Sequence, residues 1–96
     1  MSDRVISRSE DGSKGRYTLT EGGHSAVLTY SRLGATQVIA DHTEVPDALS
    51  GTGAGLVLVE RLVADARAEG FRIVPLCPFV NAMRRKHPDW ADAFKV

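Results

Sequence analysis

Ninety-six residues with twelve basic and twelve acidic side chains carry no net charge, and 43% of them are apolar. That length supports one modest core, so a single domain over residues 1–96 is expected. The balance of charge excludes a global field that would gather nucleic acid or an anionic membrane, and the apolar content excludes a disordered chain.

No apolar run approaches the length of a membrane span, and Met1-Ser2-Asp3-Arg4 lacks the pattern of a secretory leader. The lone cysteine, Cys77, excludes an internal disulfide framework and fits a reducing cytoplasm, the expected location. With that one cysteine and three scattered histidines (His24, His42, His87), no metal site is expected.

In chain order, Val5-Ile6-Ser7 reads as a short strand, closed by a turn at Glu10-Asp11-Gly12-Ser13. Arg16 to Thr20 alternates, with Tyr17 and Leu19 on one face. Gly22-Gly23 is a hairpin turn, and His24 to Leu33 continues the alternation through Ala26, Leu28 and Tyr30. After Gly34-Ala35, Thr36 to Val45 forms a fourth strand, which Pro46 stops. Four strands joined by short turns make an antiparallel meander.

The next stretch organises the rest. Gly51-Thr52-Gly53-Ala54-Gly55 feeds directly into an apolar run with helical spacing, Leu56, Val59, Val63 and Ala66, predicted to be helical from about Gly53 to Glu69. Glycines at alternate positions suit unusual dihedrals or close approach of backbone to a ligand. A helix N-terminus there points free N–H groups and a positive dipole end at one spot, which is an anion site. An ordinary helix-capping loop is the plainer alternative. The Walker loop needs Lys and a hydroxyl residue after its last glycine, where Leu56 and Val57 stand. The dinucleotide fingerprint needs a longer second gap.

Arg61 and Asp65 fit an exposed i,i+4 pair, and Gly70 ends the helix. Phe71 to Val74 is a fifth strand, parallel to the fourth by the usual right-handed crossover. Pro75 cannot donate to a ladder, so the two strands should part there and open a wedge. A ligand with a phosphate head and a long amide-bearing arm would fit loop and wedge together, and coenzyme A has that shape. Asn81 to His87 is predicted as a short helix before Pro88, followed by a turn that docks Trp90 and Phe94. The α/β fold so built has a mixed sheet: a four-strand meander, a helix, a parallel fifth strand and a short C-terminal helix.

The elements in this order, with His42-Thr43-Glu44-Val45-Pro46, Gly51-Thr52-Gly53-Ala54-Gly55, Pro75-Leu76-Cys77-Pro78-Phe79-Val80 and His87-Pro88, resemble short, single-domain members of the GNAT superfamily of N-acetyltransferases. The resemblance implies acetyl-CoA as cofactor and acetyl transfer to an amine, on a small molecule or a protein. It implies pyrophosphate contacts at Gly51, Thr52, Gly53, Ala54, Gly55 and Leu56, and pantetheine pairing at Glu44 and Val45. It also implies a cofactor contact at Asn81. Two departures stand out: Ser50 occupies the place of the usual Arg or Gln that begins the loop, and no room exists between Val5 and Leu33 for the helices that cover the acceptor in larger members. A binding module that keeps the cofactor site without efficient turnover is therefore the alternative.

Chemistry is expected from three residues. His42 and Glu44 alternate onto one strand face, and an imidazole, which titrates near ~6.5, suits a general base. Cys77, between the fifth strand and the next helix, is placed near the mouth of the wedge, as acetyl acceptor or as proton donor to the leaving thiolate, against the plainer reading of a small buried packing residue. In the cluster Arg84-Arg85-Lys86-His87, Arg85 is a candidate for the cofactor's 3′-phosphate, against a plain solvated helix face. A monomer or weak dimer is expected.

Overall fold

Tyr17, Leu19, Ala26, Leu28, Tyr30 and Val38 lose all their exposure in the structure, a computed structural model that describes residues 4–96. Every second residue of three neighbouring strands is apolar, so the sheet can present one continuous apolar face to a covering helix. Strands β1 (Val5–Asp11), β2 (Lys14–Glu21), β3 (His24–Leu33) and β4 (Gln37–Glu44) form the antiparallel meander, and β5 (Arg72–Val74) lies parallel to β4. Spatial order follows chain order. Helix α1 (Ala54–Glu69) connects β4 to β5 after a 3-10 turn at Asp47–Leu49, and α2 (Pro78–Lys86) follows β5. The expected mixed α/β architecture is the observed one.

Several details differ from expectation. Strand β1 continues to Asp11, with only Gly12 (φ +63°) and Ser13 in the turn. Its charges hid it: Arg8 reaches under the helix to Tyr30 Oη (3.1 Å), Asp65 Oδ2 (3.1 Å) and Glu69. Strand β2 starts at Lys14 because Gly15 lies beneath the Tyr30 ring, and a Cβ there would stand 2.0 Å from Tyr30 Cζ. The apolar face of α1 is wider than the predicted stripe. Leu58 and Leu62 are fully buried while Leu56 is half-buried, since a helix lying across a broad sheet needs more than one row of contacts.

Asp65 is not a surface partner of Arg61 alone. Its carboxylate accepts from Tyr17 Oη at 2.7 Å and from Arg8 at 3.1 Å as well as from Arg61 at 3.2 Å. Helix α2 begins at Pro78, three residues earlier than predicted, because proline needs no N–H donor at a first helical position. Trp90 and Phe94 dock as expected, from a 3-10 turn at Pro88–Ala93. Beyond it, Lys95 N–H donates to Ile73 O (2.8 Å) and covers the outer edge of β5.

Strand β4 carries a bulge that the residue pattern did not announce. Thr29 opposes His42 but Tyr30 opposes Ala40, which leaves Asp41 as an extra residue. Before the bulge Val38 and Ala40 face the core; after it Thr43 turns inward while His42 and Glu44 turn out.

Candidate functional site

The parallel pairing of β4 and β5 ends at Ile39 and Val74, one residue before Pro75. The chain then bends so that Cys77 N–H donates to Ala40 O at 2.8 Å. That bond makes a second closure, and the wedge opens beyond it, along Asp41 to Val45. It also corrects the placement of Cys77: the residue sits at the apex, caps α2, and is 3% exposed, rather than standing at the mouth. Cys77 Sγ lies 3.4 Å from Thr43 Oγ1. His42 and Glu44 point outward from the same strand, 66% and 75% exposed, with Nε2 and Oε2 3.7 Å apart.

At the end of β4 the glycine loop turns into α1. Gly51 (φ +77°) and Gly53 (φ +82°) both take left-handed backbone, which side chains resist. Gly55 answers a different demand: a Cβ there would meet Phe79 Cζ at 2.6 Å, so its bareness lets α2 pack against α1. The first intrahelical bond of α1 is Val57 N–H to Gly53 O, so the N–H groups of Ala54, Gly55 and Leu56 precede the ladder. No acidic residue occupies that turn. Val45, Leu49, Ser50, the loop glycines, Leu56, Phe79 and Met83 enclose a groove of about 300 Å³.

The groove thus gathers Val45, Gly51, Gly53, Ala54, Gly55 and Leu56 from the expected binding set. It excludes Thr52, whose hydroxyl donates to Leu49 O at 2.6 Å, together with Asn81 and Arg85. Asn81 is the fourth residue of α2, and its Oδ1 accepts from Arg84 Nε at 2.8 Å. Arg85 borders a different depression with Pro88, Phe94 and Val96. One cation was missed: Arg4 donates to Thr52 O at 2.5 Å and pairs with Glu21 at 3.0 Å, which sets a guanidinium against the loop. Forty-eight residues separate Arg4 from Thr52, so no local spacing signals it. Phe79 and Met83 were also missed; their i,i+4 spacing on α2 is the signal they left.

A larger depression of about 530 Å³ lies over β1, β2 and the β4 bulge, bordered by Glu10, Arg16, Thr29, Tyr30 and Asp41. Hydrogen bonds from Arg32 and then Tyr30 hold the Glu10 carboxyl down at about 2. Burial, then the Asp65 carboxylate, pushes the Tyr17 phenol up.

With this geometry, a match over residues 16–93 to the family described as GCN5-related N-acetyl-transferase decides the affiliation. The chain belongs to that family. A solution NMR structure of a GCN5-like protein from Staphylococcus aureus is similar to this GCN5-related chain at 29% identity and a TM-score of 0.73. The likeness covers 99% of this chain and 91% of that one. No curated protein matches it. The GCN5-related fold and family are those of acetyl transfer. Among the described residues no helix is long and apolar enough to cross a membrane, and no group of three or more His, Cys, Asp or Glu could hold a metal ion.

Proposed function

We propose that this chain binds acetyl-CoA in the groove at the glycine loop and transfers the acetyl group to an amine. One observation carries the reading: three N–H groups ahead of the α1 ladder, without an acidic neighbour in that turn, belong to residues that border one groove with Val45, just past the end of β4. The backbone of Gly51 to Leu56 would hold the pyrophosphate, with Arg4 adding charge, and the Val45 edge would hold the pantetheine amides. When bound, acetyl-CoA supplies an acyl thioester, already activated toward attack by an amine.

The chain's own task is to move protons. An ammonium acceptor sheds two: one before its lone pair can attack, and one after the C–N bond forms. The His42–Glu44 pair is exposed, so it can take the first proton and pass it to water. As the C–S bond breaks, sulfur needs a proton. Thr43 Oγ1 and Cys77 Sγ, in contact at the apex, would give one and be replenished by the second. An acetyl-accepting Cys77 would require an accessible thiolate, and burial argues for the proton-donor role instead.

Ser50 borders the groove and is exposed, so its charge can be altered without touching the core. Calorimetry with coenzyme A should show Ser50→Arg binding about three- to fivefold more tightly and Ser50→Glu correspondingly weaker. Equal affinity of wild type and both variants would remove the anion from this loop.

A further inference from the structure

Strand β4 joins two depressions. Val45, just past its end, borders the groove at the glycine loop, and Asp41, at its bulge, borders the larger depression of about 530 Å³. Four residues separate them, roughly 13 Å at ~3.3 Å per residue. The outward pair of His42 and Glu44 lies between. A space of that size takes a small molecule.

The charges bordering the larger depression are not equivalent. Glu10 is occupied by Arg8, Arg32 and Tyr30. Asp11 is the register partner of Lys14, whose Nζ donates to Ser31 Oγ at 2.7 Å. The Arg16 side chain makes no hydrogen bond or ion pair among the described residues. Asp41 accepts from Ser31 through Oδ2 at 2.6 Å, and its second oxygen stays open. Tyr17 reaches α1 through Asp65, so alternation turns Arg16 to the opposite face of the sheet. Leu28 and Tyr30 are buried on the helix side, so Thr29 also faces away. Arg16 opposes Thr29 on β3, and Thr29 opposes His42, next to Asp41 on β4. An unpaired cation thus starts one row across three strands, and a carboxylate with one open oxygen, its other linked through Ser31 to Lys14, stands beside the far end, ~10 Å away at ~4.8 Å per strand spacing, with the Thr29 hydroxyl between them.

We infer that this depression is the acceptor subsite and that it takes a small primary amine bearing an anionic group, a carboxylate or phosphate, several bonds away. The inference rests on the proposed acetyl transfer for its role, but not for its binding chemistry. Asp41 receives the ammonium beside the His42–Glu44 pair, and Arg16 receives the anion. A plain alkylamine meets only half of the row.

Backbone amide shifts in isotope-labelled protein, titrated without acetyl-CoA, test the site directly. The probes are 6-aminohexanoate, O-phosphorylethanolamine and hexylamine, and the two anionic amines separate carboxylate from phosphate. At least one anionic amine should bind about tenfold tighter than hexylamine, with shifts centred on Arg16, Thr29 and Asp41. Arg16→Gln should erase that preference, and Asp41→Asn should weaken all three probes. Equal binding of all three, a preference that survives Arg16→Gln, or shifts centred elsewhere would overturn the site. Thiol release from acetyl-CoA then separates the two ideas. Anionic amines that bind here but are never acetylated would sink the transfer and leave the site. Alkylamines acetylated as fast as anionic ones would sink the site and leave the transfer.

Discussion

Cys77 shows how a residue's role turns on a few ångströms. Its N–H closes the wedge on Ala40, and its sulfur rests on Thr43 in a nearly solvent-free position. A proton donor needs an O–H or S–H there, whereas an acetyl carrier needs sulfur. Cys77→Ser should therefore keep acetyl transfer within about tenfold of wild type, while Cys77→Ala should lose roughly 100-fold, both with cooperative thermal unfolding. A folded Cys77→Ser as inactive as Cys77→Ala would show that sulfur itself carries the acetyl group. Single residues also mark what the sequence could reveal. Gly51 and Gly53 announced themselves because left-handed backbone is written as glycine. Asp41 did not, since nothing about an aspartate in a β-rich run says that its strand gains a residue there. That bulge decides which way His42, Thr43 and Glu44 point.

At the scale of elements, β1 and α1 are tied by a polar network: Arg8 to Asp65 and Glu69, Glu10 to Tyr30 and Arg32, Tyr17 to Asp65. The meander, the crossover helix and β5 were legible from alternation and helical periodicity, because burial imposes those periods on the chain. The network was not, since its partners lie up to 61 residues apart. It has a pH signature. The folded state holds Glu10 at about 2 against an ordinary 4.5, so its stabilisation is complete above about 4.5 and is lost as pH falls towards about 2. Its side chain is 32% exposed, so the effect should be modest. Denaturant unfolding between pH 6 and pH 2 should show wild type losing more stability than Glu10→Gln. Parallel curves would mean that the contacts with Arg32 and Tyr30 add nothing in solution.

On the scale of the whole molecule, the helices cover one face of the sheet and meet β4 where it leaves β5. Everything assigned to acetyl-CoA lies at that junction, and the inferred acceptor subsite lies on the other face, with β4 running between them. The separation makes a direct measurement possible. Coenzyme A titrated into isotope-labelled protein should shift the amides of Gly53 to Leu56, Thr43 to Val45, and Phe79 to Met83. It should leave Arg16 and Thr29 unmoved. Saturable shifts confined to the β1–β2 side, or none at the α1 N-terminus, would contradict acetyl-CoA binding at the glycine loop.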